Sequence, residues 1–161
     1  MIPAALLQPS FLGAPGPTLE TSLRRAVVTG ATGFVGGGLL RALRARGVEV
    51  TCLVRGSSDP GPLQALGARV VVGDLLQAGT LAPALDGADV VFHLAAQLRA
   101  HWRPDFLRVN QEGCGNVAAA CAAQPVPPTL VVVSSLAAGG PAPAGRARVE
   151  EDQPAPRSRY G

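Results

Sequence analysis

Short, largely apolar runs recur between positions 25 and 133, and stretches of helical character lie between them. Ala26–Val28, Val48–Val54, Val70–Val72, Asp89–Leu94 and Leu130–Val133 have the length and β-branched content of buried strands. After the first run, Leu39, Leu40 and Leu43 recur at helical spacing, with Arg41 and Arg44 on another side. Arg44 and Arg46 fall in the last turn of that helix, where positive charge suits the macrodipole, and Gly47 is placed to cap it. Gly56 to Pro62 reads as a loop, and Leu81 to Leu85 belongs to a helix that ends in the turn Asp86-Gly87. A long helix is expected from about Pro104 to Ala122, with Asn110, Cys114, Val117 and Cys121 on one face; Pro125, Pro127 and Pro128 end it. Nearly continuous apolar strands alternating with helices predict a parallel sheet covered on both faces. The expected architecture is a doubly wound α/β fold with right-handed crossovers.

The two ends lack this pattern. In residues 1–23, Pro3, Pro9, Pro15 and Pro17 with Gly13 and Gly16 break any period, so a disordered or irregular tail is expected before a domain over 24–161. Periodicity is lost again from Ala137 to Arg159, a Pro-, Gly- and Ala-rich stretch containing Glu150-Glu151-Asp152.

Composition narrows the function. A chain of 161 residues with 47% apolar and 4% aromatic content can bury one aliphatic core. All fourteen basic residues are arginine, and a net charge of +3 without a basic run argues against nucleic acid as a partner. A small polyanion such as a dinucleotide stays compatible. Cys52, Cys114 and Cys121 are too few and too scattered for a disulfide framework or a metal site, so free thiols in a reducing compartment are expected. No charged leader precedes the short apolar run Ile2–Leu7, and no run approaches the ~18 apolar residues of a membrane span. The expectation is a soluble, cytoplasmic protein with no membrane partner.

The chemistry begins at Thr29-Gly30-Ala31-Thr32-Gly33-Phe34-Val35-Gly36, directly after the first strand. Three glycines at three-residue spacing between a strand and a helix suit a pyrophosphate. Gly30 allows the tight turn, Gly33 the close approach of backbone to phosphate, and Gly36 the close packing of the helix. Gly30, Thr32, Gly33, Phe34, Val35 and Gly36 are therefore the expected cofactor contacts. At the end of the second strand, where an acid would take a ribose 2′-hydroxyl, Val54 stands and Arg55 follows. An arginine there pairs with a 2′-phosphate and stacks on adenine, which favours NADP over NAD, with NAD the alternative.

With these residues in place, the stretch from Arg25 to Gly161 resembles the extended short-chain dehydrogenase/reductase family of nucleotide-sugar epimerases, dehydratases and dihydroflavonol-type reductases. Thr29–Gly36 is similar to the family's TGxxGxxG. Gly73-Asp74-Leu75 is similar to its GD[LV] turn, and His93-Leu94-Ala95-Ala96 to its HLAA strand end. Asn110, Gly113 and Asn116 match N-x-x-G-[TC]-x-N. Val133-Ser134-Ser135 resembles the strand end that carries the family's serine, and from 135 to 160 the spacing of 25 residues to Tyr160 is typical of it.

The resemblance implies Asp74 and Leu75 at the adenine, and Leu94, Ala95 and Ala96 lining the cofactor. It implies Ser135 on the substrate oxygen, Asn110 holding a water of a proton relay, and Tyr160 as general acid or base that also lines the cofactor. His93 reads as a packed strand residue, Asp74 also as a turn-former, Ser135 also as a strand-end cap, and Asn110 also as a polar residue on an inner helix face satisfied by backbone; Gln97, His101 and Trp102 fall on the substrate side or are plain loop surface. The implied activity is hydride transfer at a hydroxyl or keto carbon of a nucleotide sugar or another small carbonyl compound, in a homodimer when full length. A free phenol has a pKa of about 10, and the family lowers it with a lysine four residues on. The sequence stops before that position and contains no lysine, so these residues alone are expected to be inactive or weak. The alternative is a non-catalytic dinucleotide-binding regulatory module, whose relatives typically lose the serine and tyrosine present here.

Overall fold

Five strands, β1 (Arg25–Thr29), β2 (Glu49–Val54), β3 (Arg69–Val72), β4 (Val90–His93) and β5 (Thr129–Val132), pair in parallel in the order β3-β2-β1-β4-β5. The computed structural model describes residues 23–98, 102–158 and 160–161. The tail expected over 1–23 therefore lies, apart from Leu23, outside the described residues, as does His101. From β1 the chain steps outward to β3, then returns to place β4 on the other side of β1. Strand order reverses between β1 and β4, and such reversals open a crevice at the carboxyl ends of the strands. In register, Thr29 at the end of β1 sits between Leu53 of β2 and His93 of β4.

Successive residues of each strand point opposite ways, and the central strands β1, β2 and β4 are covered on both faces. The edge strands β3 and β5, expected from sequence to be buried, leave Val72, Val131 and Val132 exposed. Ala26, Val28, Val50 and Cys52 pack with Leu40 and Leu43 of α1 (Phe34–Ala45) and Leu63 of α2 (Gly61–Ala65). Val27, Leu53 and Val91 pack on the other face with Leu81, with Leu85 of α3 (Ala82–Leu85), and with Val117 and Cys121 of α5 (Gly113–Ala122). α1 ends as its sequence predicts. Gly47 takes φ +77°, its N–H donates to Arg44 O, and Val48 N–H donates to Leu43 O. α2 occupies part of what reads as a loop. Pro62 tolerates the first turn of a helix, Asp59 Oδ1 accepts from Gly61 N, and the same glycine ending recurs at Gly67, φ +75°.

The expected long helix is continuous but not uniform. α4 (Arg103–Phe106) passes into a π-helical stretch over Leu107–Glu112 before α5 resumes α geometry. Beyond β5, where periodicity is lost, a one-turn helix α6 (Leu136–Gly139) forms, and polar bonds tie down the segment after it. Arg146 pairs with Asp152, Arg148 donates to the carbonyls of Pro141 and Gln153, and Ala155 N donates to Gly139 O. Among the described residues, no helix is long and apolar enough to cross a membrane.

Burial separates the three thiols. Cys52 is fully buried in β2 and desolvation pushes its thiol up to about 11; Cys121 is buried and shifted upward for the same reason, whereas Cys114 is half-buried. Because the thiolate is the reactive form, a maleimide applied to native protein should modify Cys114 first and Cys52 only on unfolding. Peptide mapping by mass spectrometry checks this, and equal labelling of all three in the folded protein would contradict it.

Candidate functional site at the carboxyl edge of the sheet

The turn after β1 is shaped by what its glycines lack. Gly30 has φ +73°, and a Cβ there would lie 2.7 Å from Ala95 N and 2.9 Å from the Leu94 carbonyl carbon. The turn is therefore pressed against the chain leaving β4. A Cβ on Gly36 would lie 2.2 Å from Gly30 O, so α1 also rests directly on the turn. Gly33 caps α1, and the first intrahelical bond runs from Gly37 N to Gly33 O at 2.9 Å. The N–H groups of Phe34, Val35 and Gly36 precede it and need a partner from outside the helix. No acidic residue stands in the first turn, so the positive end of the helix dipole is uncompensated. These features fit a dinucleotide pyrophosphate, with Gly33 leaving room for its approach.

The hinge between β1 and β4 is polar and buried. Thr29 Oγ1 accepts from Ala95 N at 3.2 Å and lies 2.8 Å from His93 Nδ1. Thr29 and His93 are 2% and 3% exposed, and burial holds the His93 imidazole below its usual pKa. Thr29 Oγ1 and His93 Nδ1 share one buried hydrogen bond, and burial favours the neutral ring. Leu94 N donates to Thr29 O, so Leu94, Ala95 and Ala96 continue beside the glycine turn.

The turn after β3 is brought alongside the end of β2, Gly73 N donating to Val54 O. Asp74 Oδ1 accepts from Leu76 N at 2.9 Å, and Asp74 N donates to Thr80 Oγ1. Asp74 thus forms the turn, and its Oδ2 takes no part in that bond. Arg55 is exposed at the end of β2. A cavity of about 660 Å³ lies between the glycine turn and α2, with Thr32, Phe34, Arg41, Ser58 and Asp59 among its lining residues. Arg55 is not among them. Arg41, Ser58 and Asp59 were not singled out from sequence, because a helix-face arginine and loop Ser and Asp carry no motif.

The Asn110, Gly113 and Asn116 pattern acquires a physical meaning. Asn110, inside the π-helical stretch, accepts from Gln97 N at 2.7 Å and donates to Gln97 O at 3.1 Å, clamping the chain beyond β4. A Cβ on Gly113 would lie 3.1 Å from the Leu75 side chain, and Asn116 Nδ2 donates to Leu75 O at 2.7 Å. One helix face therefore docks onto the loops that follow β3 and β4.

Ser135, half-buried beyond β5, caps α6 by accepting from Ala137 N at 3.2 Å. Tyr160 is half-buried, its ring centroid 6.0 Å from that of Phe106 on α4. Next to it, Gly161 is pressed on Ala137, where a Cβ would lie 2.2 Å from Ala137 O. The folded segment after α6 thus carries Tyr160 back toward the helix that Ser135 begins.

Comparison with known proteins agrees with this geometry. The NAD dependent epimerase/dehydratase family model matches residues 26–161. The chain belongs to that family. This family member is 42% identical over 97 residues to a 4-hydroxy-2-methyl-3-oxo-4-farnesyl-3,4-dihydroquinoline-1-oxide ketoreductase of Stigmatella aurantiaca, covering 60% of this chain and 29% of the relative. It is 40% identical over 124 residues to a ceramide reductase of Caulobacter vibrioides, covering 76% of this chain and 38% of the relative. The chain thus spans about a third of each relative's length. Among solved structures, the UDP-glucose 4-epimerase of Thermus thermophilus in complex with NAD superimposes with a TM-score of 0.71 at 28% identity, over 84% of this chain and 46% of the epimerase. The parallel, Rossmann-type sheet of the epimerase/dehydratase family is the fold of this chain.

Proposed function

We propose that this family member binds NADP(H) on the glycine turn and serves hydride transfer at a hydroxyl or keto carbon of a small carbonyl substrate. The observation that carries the reading is the packing of Gly30 against Leu94 and Ala95 at the strand-order reversal, with the free N–H groups of α1 beside it. Bound nicotinamide would supply or accept the hydride. Gly30, Gly33 and the N–H groups of Phe34, Val35 and Gly36 hold the pyrophosphate, Thr32 adds a hydroxyl, and Leu94, Ala95, Ala96 and Tyr160 line the nicotinamide side. Asp74 Oδ2 and Leu75 face the adenine.

Ser135 Oγ already accepts from Ala137 N, which leaves its own proton to donate to the substrate oxygen. Tyr160 gives or takes the proton at that oxygen. Asn110 positions the Gln97 backbone, and its second Nδ2 N–H is the group left for a relay water. With no lysine among the 161 residues to favour the phenolate, we expect turnover by these residues alone to be slow. The names of the relatives range from ketoreductase and ceramide reductase to UDP-glucose 4-epimerase.

Arg55 supports NADP, since its exposed guanidinium at the end of β2 is free to meet a 2′-phosphate. Calorimetric titration should find NADP bound at least about tenfold tighter than NAD, with Arg55→Ala removing the difference. Equal affinities in the parent chain would refute the NADP assignment. Binding of neither dinucleotide would refute the function as a whole.

A further inference from the structure

Ser135 and Tyr160 are joined by a segment that has no core of its own. None of the described residues from 137 to 158 is buried, so its shape depends on polar bonds and backbone contacts. Two limbs meet in it: the first leaves Ser135 through α6, and the second leads into Tyr160. Ala155 N donates to Gly139 O at 2.9 Å, a Cβ on Gly140 would run into Ala155 O, and Gly161 rests on Ala137.

Arg148 grips both limbs. Its Nη1 donates to Pro141 O at 3.0 Å on the first, and its Nη2 donates to Gln153 O on the second. A Cβ on Gly139 would lie 3.4 Å from its Nε, so the same side chain runs along the end of α6. Arg148 is half-buried, although the residues on either side of it are exposed. A guanidinium presents its donors in a rigid planar fork, so little side-chain freedom is lost for each bond it forms. Arg146 differs. It is exposed and pairs with Asp152, closing only the turn between the limbs, and exposed pairs contribute little.

We infer that Arg148 is a positioning residue for the proposed reaction: by holding the two limbs together it fixes the Tyr160 phenol relative to Ser135. This rests on the function proposed above, in which both hydroxyl groups address one substrate oxygen. Misplacement of such groups by about 1 Å costs on the order of a hundredfold in rate. Arg148 itself touches neither substrate nor cofactor in this reading; it acts through the backbone at Gly139, Pro141 and Gln153.

Tyr160 is the only tyrosine of the chain, so 3-fluorotyrosine incorporated there gives a single fluorine NMR resonance. Leu136, next to Ser135 and 95% exposed, can carry a nitroxide as Leu136→Cys. Cys114→Ser removes the half-buried thiol, and Cys52 and Cys121 are buried. In the 161-residue chain the nitroxide should broaden the Tyr160 resonance. Arg148→Met should abolish the broadening, and Arg146→Met should keep it. Both variants should retain a cooperative urea transition, which separates movement of Tyr160 from loss of folding. Broadening that survives Arg148→Met, that is absent from the parent, or that Arg146→Met removes equally overturns the assignment. So does loss of the cooperative transition in Arg148→Met, which would make Arg148 a general prop of the fold. NADP binding to the parent, measured separately, tests the functional reading: its failure with the expected broadening pattern overturns that reading and the catalytic purpose of the grip, not the grip itself.

Discussion

Replacement of Gly36 by alanine is expected to abolish dinucleotide binding and to destabilise the fold by about 3 kcal/mol or more. The added methyl would lie 2.2 Å from Gly30 O and 2.7 Å from Ala31 Cα. Both are backbone atoms of a turn that is itself pressed against Leu94 and Ala95, so neither can move aside cheaply. The clash is relieved only if α1 lifts off the turn, carrying with it the N–H groups of Phe34, Val35 and Gly36. Gly38 provides an internal control two residues on: a Cβ there meets nothing within 4 Å. Alanine at that helix-interior position should stabilise by up to about 1 kcal/mol and leave binding intact. Urea denaturation and NADP calorimetry on the two variants separate the contact from a general effect of losing a glycine. Similar behaviour of both would remove the close-packing argument.

Thr29→Val is the second large effect. Valine keeps the shape of the side chain but removes the hydroxyl that accepts from Ala95 N and meets His93 Nδ1. Both partners would be left unpaired in or next to the core, at about 1–3 kcal/mol for a buried orphan, so a loss of about 2–4 kcal/mol is expected for the pair. His93 adds a pH dependence of known sign. Burial lowers its pKa in the folded state below the ordinary 6.5, so the unfolded chain binds the proton more readily. Stability should be constant above the unfolded value and fall as the pH drops below it toward the folded one. His93→Phe should flatten that stretch of the curve. Urea melts between about pH 8 and about pH 5 measure both effects, and an unchanged slope in His93→Phe would assign it to other groups.

The parts of this fold legible in sequence are those where one residue type answers one local need. Five apolar runs became the five strands with end shifts of one residue or so. In β1, β2 and β4 burial on both faces admits almost nothing else. The edge strands β3 and β5 kept the apolar signal although Val72, Val131 and Val132 are exposed. Gly30 and Gly47 were readable because a positive φ selects glycine. α2 was hidden because Pro60, Gly61 and Pro62 signal a loop, yet Pro62 needs no N–H bond in a first turn and Leu63 finds the core. The segment after Ser135 was unreadable for another reason. Its order comes from Arg146 on Asp152 and Arg148 on two carbonyls, contacts with no periodicity.

At the site, Asn110 and Asn116 could be picked out by motif, but their partners could not. A side chain that bonds to the backbone of Gln97 or Leu75 places no demand on the identity of that partner. The Thr29 and His93 pair was missed as a unit because its members are 64 residues apart and meet only through strand register.

The wide turn between α4 and α5 makes the phase of the long helix a matter of chain length. Over Leu107–Glu112 the backbone holds more residues per turn than α geometry takes. Deleting one of them would let ordinary pairing run straight through and rotate the Arg103–Phe106 end by about 100° about the axis. Asn110, Gly113 and Asn116 could not then stay docked while Phe106 still faced Tyr160. The helix thus keys two loops and one aromatic contact to a single angular setting. A homologue lacking this one residue would aim a different side of the same helix at its substrate, without altering any residue that touches the cofactor.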